Sequence, residues 1–173
     1  MAGFKPDLRI GPLSTDHDRD GFSCGVDSLD RYLRTQASQD VRRKANGVFI
    51  LVESKAPRTV LGYYTLCATT LQQGDVPVAA RKYVPRYPLV SATLVGRLAV
   101  SAARHGERLG GILLADAVQR AYASASTVGS SMLVVDAINE RVAAFYEGNG
   151  FMRLPDSMRL VLSMHVIEKM LKD

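Results

Sequence analysis

Apolar and polar residues follow one another in periods that change along the chain. Val26, Leu29, Tyr32 and Leu33 stand at i, i+3, i+6 and i+7, the spacing of one helical face. Asp27 or the Gly25 region is placed to cap that helix, which continues through Ala37 and Val41 with basic residues outward. Residues 47–53 form an unbroken β-branched and apolar run that predicts a buried strand. A turn with Pro57 leads to a second strand over 60–70, so the two predict a hairpin. Residues 72–88 hold Pro77, Pro85 and Pro88 and predict a loop whose length marks it as functional or mobile. Residues 92–100 read as a third strand and 101–108 as a polar turn. Leu114, Val118 and Ala121, at i, i+4 and i+7, then predict a long helix from Leu109. A short buried strand follows over 132–135, and a helix over 140–147 stopped by Gly148-Asn149-Gly150. An alternating strand over 158–164 and a terminal helix over 165–172 end the chain, while residues 7–13 suit an edge strand.

This alternation predicts one α/β or α+β domain around a mixed sheet. The length of 173 residues fits a single domain over 1–173. With 47% hydrophobic and 23% charged residues, collagen-like, coiled-coil and mostly disordered classes are excluded. Cys24 and Cys67 form no CxxC pair, so neither a disulfide framework nor a structural zinc site is expected, and no metal is called for. No apolar run reaches the roughly 18–20 residues that span a bilayer, and residues 1–13 lack a signal-peptide pattern, which points to the cytoplasm. Lys plus Arg total 22 against 17 Asp plus Glu, a net charge of +5 that permits a polyanionic partner. Arg31, Arg34, Arg42, Arg43 and Lys44 cluster, and Arg81, Lys82 and Arg86 form a second basic stretch.

Chemistry concentrates at two strand–turn–helix junctions. In the first, Leu98-Ala99-Val100 ends a strand, and His105-Gly106-Glu107-Arg108-Leu109-Gly110-Gly111 opens a helix. A helix start exposes unpaired N–H groups at the positive end of the dipole, and glycines let a phosphate approach the backbone. The physics predicts an anion site suited to a pyrophosphate, although a plain tight turn has the same ingredients. It is neither a GxGxxG nor a Walker A loop. In the second, a strand, a polar turn at Asn139, a short helix with Phe145-Tyr146 and a Gly150-Phe151 exit are packed together.

The first junction resembles the acetyl-CoA loop of GNAT acetyltransferases, Gln/Arg-x-x-Gly-x-Gly/Ala. The second is similar to their Asn-x-x-Ala-x-x-Phe-Tyr-x-x-x-Gly-Phe segment. A narrower resemblance spans nearly the whole chain. Phe22-Ser-Cys24-Gly25, Leu29-Asp30-x-Tyr32-Leu33, Gly62-Tyr63-Tyr64-Thr65-Leu66, Gly96-Arg97-Leu98-Ala99-Val100 and Leu113-Leu114-x-Asp116-Ala117 carry it. These look like GNAT-type toxins of bacterial type II toxin–antitoxin systems (TacT/AtaT-like). The resemblance implies a GNAT fold, a central mixed, mostly antiparallel sheet flanked by helices. It implies acetyl transfer from acetyl-CoA to the α-amine of aminoacyl-tRNA, which blocks translation. It also implies a homodimer and a ribbon-helix-helix antitoxin through which alone the toxin reaches DNA. Two other readings stand beside it. One is a GNAT enzyme of a small amine or protein N-terminus with no toxin role; the other is a binding module whose cofactor loop Arg108 has spoiled.

By the same resemblance Tyr146 is the catalytic acid, a phenol that gives a proton to the leaving CoA thiolate. Leu98, Ala99 and Val100 line the pantetheine arm. His105, Gly106, Glu107, Arg108, Leu109, Gly110 and Gly111 cradle the pyrophosphate, and Asn139 contacts the CoA arm or caps its helix. His105 stands where Gln or Arg is usual and still donates. Arg108 stands where Gly is usual, and donation from the loop is expected to survive if φ stays negative there. No general base is evident; His17 and His165 read as surface residues. The tRNA phosphates fall to Arg42, Arg43, Lys44, Arg81, Lys82 and Arg86, with Arg97 nearer the active site.

Overall fold

The computed structural model describes residues 7–173, so the part of the signal-peptide expectation that rests on residues 1–6 lies outside the described residues. The strands are β1 (Leu8–Pro12), β2 (Gly47–Glu53), β3 (Gly62–Gln72), β4 (Leu89–Val100), β5 (Met132–Asp136), β6 (Met152–Arg153) and β7 (Arg159–Ser163). The helices are α1 (Asp27–Thr35), α2 (Ala37–Arg42), α3 (Leu109–Ala125), α4 (Glu140–Gly148) and α5 (Met164–Lys172). The strands form one sheet of seven in the order β1-β2-β3-β4-β5-β7-β6. β1–β2, β5–β7 and β6–β7 are antiparallel, whereas β4–β5 is parallel. This is the mixed sheet that the alternation predicts, mostly antiparallel as the resemblance implies, with β1 at an edge.

The residues gather into two compact units. Of the described residues, the first holds those up to Thr65 together with Arg97–Asp116, and the second holds Leu66–Gly96 with Ala117–Asp173. The first unit's core joins Phe22, Tyr32, Leu33, Ile50, Tyr63 and Ala99. Tyr63 meets Phe22 edge-on at 5.7 Å and stacks on Tyr32 at 6.3 Å, and its hydroxyl donates to the Leu29 carbonyl at 2.7 Å. The second unit's core joins Leu71, Val76, Val84, Val90, Met132, Val134 and Val161.

Three local expectations are corrected. Asp27 does not cap α1: Val26 occupies that place with no side-chain bond, and buried Asp30 instead accepts the Cys24 N–H at 2.9 Å. The helix does not run unbroken to Val41, because Gln36 (φ −122, ψ −31) separates α1 from α2. Residues 32 and 40 would lie about 12 Å apart along a straight helix. The break lets the Tyr32 hydroxyl donate to Asp40 at 2.8 Å, with the Asn46 amide donating to Asp40 at 3.1 Å. The loop over 72–88 is structured: it makes two 3-10 turns, Gln73–Asp75 and Val78–Tyr83, and buries Val76, Ala80 and Val84. The Gln73 amide faces the Pro85 and Tyr87 carbonyls, each 2.9 Å away, and closes it.

Candidate active site

β4 leads into the first junction. Its parallel register with β5 runs from Ala92↔Met132 to Val95↔Val135, and β4 itself continues to Val100. Leu98, Ala99 and Val100 therefore lie beyond the last described β4–β5 pair. Ala102–Arg104 then make a 3-10 turn tied by Ser101 N–H to Leu61 O and Ala102 N–H to Ser23 O, both 2.8 Å. The His105 ring folds back, its Nε2 lying 3.0 Å from the Val100 carbonyl, so its hydrogen bond goes to the strand and not outward.

The loop departs from expectation at Arg108, whose φ is +61, not negative. Together with Gly106 (φ +88) it reverses the chain so that α3 can start at Leu109. A left-handed backbone costs a side-chain-bearing residue about 1–2 kcal/mol. N–H donation does not depend on the negative φ that the sequence reading required. Left-handed residues followed by right-handed ones aim successive N–H groups into one concavity, an anion-binding nest. The Arg108 side chain is exposed and turned to solvent. A Cβ built on Gly106 or Gly111 meets nothing within 4 Å, so space lies open over the loop and the first turn of α3. Gly62 differs: a Cβ there would stand 2.7 Å from Ala99 O and 2.8 Å from Leu113 Cδ1. β3 thus passes close to the end of β4 and to α3 because residue 62 has no side chain.

One interaction at this junction leaves little trace in the sequence. Arg104 Nη1 lies 2.6 Å from Glu53 Oε1, while its Nε and Nη2 lie 2.5 and 3.0 Å from the two oxygens of Glu107. The Arg104 hydrogen bonds hold the Glu107 carboxyl below its ordinary range. Only the i, i+3 spacing of Arg104 and Glu107 signals it in the sequence. On the same unit the Tyr64 hydroxyl donates to Asp116 at 2.5 Å, tying β3 to α3.

The second junction lies on α4. Asn139 caps the helix, its side-chain oxygen accepting from Val142 N–H at 2.9 Å. Tyr146 sits in the last turns of the same helix and is 4% exposed. Its ring packs against Phe145 and Phe151, at 5.3 and 5.5 Å between centroids. Burial, and then the charge of Asp136, push its phenol up from 10.0 to about 12, so it stays protonated at neutral pH. Asp136 is itself held by Arg159 through contacts of 2.8 and 2.9 Å. His165 is not a surface residue: it is half-buried and stacked on Tyr83 at 3.6 Å. His17 accepts the Ser14 N–H through Nδ1 at 3.0 Å, and burial lowers its pKa.

The basic residues fall in three settings. Arg42 ends α2, and Arg43 and Lys44 follow it, all exposed. Arg81, Lys82 and Arg86 line a concavity of about 760 Å³ in the structured loop, with no acidic residue among its walls. Arg97 is half-buried, its guanidinium 3.6 Å above the centre of the Tyr32 ring. Among the described residues no cluster of His, Cys, Asp and Glu could hold a metal, and no helix is long and apolar enough to cross a membrane.

No family model matches the chain. A tRNA-acetylating toxin of Mycobacterium tuberculosis is 31% identical over 165 residues, 95% of each chain. The structure of AtaT complexed with acetyl-methionyl-tRNAfMet superimposes with a TM-score of 0.87 at 30% identity, covering 95% of this chain and 99% of that one. A tyrosine-to-phenylalanine mutant of AtaT, bound to acetyl-CoA and the C-terminus of the antitoxin AtaR, matches with a TM-score of 0.81 at 28% identity, covering 96% and 99%.

Proposed function

We infer the chemistry from one established point: this chain belongs to the GNAT-type, TacT/AtaT-like family of tRNA-acetylating toxins. It is an acetyltransferase that takes its acetyl group from acetyl-CoA and acts on tRNA as the toxin of a toxin–antitoxin pair. The acceptor is the α-amine of the aminoacyl group, and its acetylation stops translation in the cytoplasm. A ribbon-helix-helix antitoxin neutralises the toxin and links it to DNA, and the toxin is a homodimer.

The chain's own residues suit this chemistry. Acetyl-CoA supplies a thioester whose acyl carbon bonds to the amine nitrogen as the carbon–sulfur bond breaks. Leu98, Ala99 and Val100 present backbone groups beyond the end of the β4–β5 register for the pantetheine arm. The N–H groups of the loop from His105 to Gly111 hold the pyrophosphate, and the open space over Gly106 and Gly111 fits it. Asn139 steadies the helix that carries Tyr146 and contacts the CoA arm.

Tyr146 carries the reading: a buried phenol with no hydrogen-bonding group among the causes of its shift. A thiol of ordinary pKa near 8.5 is a stronger acid than a phenol near 12, so outright transfer would be uphill by about 5 kcal/mol. Tyr146 Oη therefore donates a hydrogen bond to the departing sulfur. It releases its proton only as the proton lost by the amine replaces it. A free α-amine, near 8, is mostly protonated at pH 7, but esterification of its carboxyl to tRNA lowers that value, so a reactive neutral fraction forms without a dedicated base. The exposed cations Arg42, Arg43 and Lys44, the concavity of Arg81, Lys82 and Arg86, and Arg97 meet tRNA phosphates.

The test is cell-free translation with and without acetyl-CoA, beside Tyr146→Phe, followed by mass spectrometry of the aminoacyl-adenosine released from tRNA. Inhibition that needs acetyl-CoA, disappears in the variant and leaves an acetylated aminoacyl group is expected. Undisturbed translation with continued acetyl-CoA turnover would point to a small-amine acceptor instead.

A further inference from the structure

The loop over 105–111 contains a carboxylate, Glu107, where a pyrophosphate is to be held. Left free, that charge would stand beside two phosphates over a short distance, where like charges repel even at a solvated surface. The loop does not leave it free. Arg104 faces both oxygens of Glu107 with Nε and Nη2, at 2.5 and 3.0 Å, and reaches Glu53 on the last residue of β2 with Nη1 at 2.6 Å. A planar guanidinium can satisfy two carboxylates at once in this way, which an ammonium cannot do with fixed directions. The Arg104 and Glu53 side chains are each 24% exposed and form the sheltered arm of the bridge, while Glu107, 44% exposed, is the arm that faces water.

We propose that Arg104 is a positioning residue for acetyl-CoA: its guanidinium pins the pyrophosphate loop to β2 and holds the Glu107 carboxylate away from the phosphates. The inference rests on the loop holding the pyrophosphate, as proposed above. Arg104 touches no reacting atom, so its contribution is to binding and not to acyl transfer. Removal of the guanidinium releases Glu107 and loosens the loop at the same time.

The test compares two acetyl donors on the full-length protein, acetyl-CoA and S-acetyl-pantetheine, which lacks the pyrophosphate. With Arg104→Gln, KM for acetyl-CoA rises about fivefold, while kcat stays within about twofold. KM for S-acetyl-pantetheine does not move. Glu107→Gln lowers KM for acetyl-CoA, and the double variant Arg104→Gln/Glu107→Gln recovers most of the loss. Arg104→Lys, which keeps the charge without the fork, falls between. A KM that rises equally for both donors, a fall in kcat, or a double variant as poor as Arg104→Gln would overturn the proposal. The reading of the loop fails separately, if the wild-type protein shows the same KM for both donors. Should Arg104→Gln not fold, Glu107→Gln and Arg104→Lys still decide the matter, since a released or fork-free carboxylate must change KM for acetyl-CoA alone.

Discussion

Gly111 lies in the first turn of α3, and a Cβ there meets nothing within 4 Å. By packing and helix propensity alone, alanine is the better residue, by about 0.5–1 kcal/mol. A protein of this size gains about 2–4 °C of Tm per kcal/mol, so ligand-free Gly111→Ala should melt about 1–4 °C higher. The glycine makes sense only if something outside the chain comes close. A phosphate seated on the helix start would meet the new methyl group, and overpacking of this kind costs about 1–3 kcal/mol. That is between about fivefold and about 150-fold in CoA affinity. Ligand linkage turns this into a change of rank. At CoA of 100 times its Kd, the wild-type protein gains about 2.7 kcal/mol; a variant with tenfold weaker binding gains about 1.4 kcal/mol at the same concentration. That deficit exceeds the propensity gain. The assay is a thermal melt of both proteins with and without CoA. The variant should be the more stable one without ligand and the less stable one with it. A variant that is more stable in both conditions would refute the reasoning, since nothing then approaches Gly111.

Gly62→Ala should do the reverse of Gly111→Ala: its Cβ would press on the immovable Ala99 carbonyl at 2.7 Å, and a loss of about 1–3 kcal/mol should show in the urea midpoint. Gly11→Ala, with open space around it, should leave the midpoint within about 0.5 kcal/mol. Arg108→Gly should relieve the left-handed strain and raise Tm relative to Arg108→Ala, which loses the same charge but keeps the strain; equal melting of the two would show that residue 108 does not hold φ +61. The rate with an amide-linked aminoacyl-tRNA should rise with the neutral amine and then stay flat past pH 10, because Tyr146 ionises only near about 12; a descending limb centred near 10 would contradict its burial. Folding stability carries the same signature. The raised phenols Tyr146 and Tyr32, each at about 12, contribute fully below their ordinary value of 10.0 and lose that contribution as pH rises through 10 towards 12.

Much of the fold is legible because burial imposes a period. β2 is a continuous apolar run and lies inside the sheet, where both faces are covered. α3 shows Leu114, Val118 and Ala121 at helical spacing, and all three are buried. β6 is invisible because it has two residues, both exposed, and therefore no period to read. The break at Gln36 is equally hidden: it follows from the bonds that Tyr32 and Asn46 make to Asp40, and propensity registers no such agreement between distant side chains.

The candidate site divides along the same line. Asn139 and Tyr146 are legible because one short helix carries both, so a local motif fixes their setting. The loop's residues are legible as types but not as geometry. Arg108 is where a local rule loses: sterics favour a negative φ, yet the chain must reverse between the Arg104 bridge and the start of α3, and residue 108 takes the strained backbone. That bridge joins Glu53 to a loop more than fifty residues later, so no window on the sequence contains it. The two facts belong together. A loop held in an unfavourable conformation needs an anchor outside itself, and Arg104 supplies one by reaching Glu53, the last residue of β2. Strain at 108 and restraint at 104 are thus two sides of one arrangement, in which a bridge from outside the loop accompanies the one side-chain-bearing residue of the loop with a positive φ.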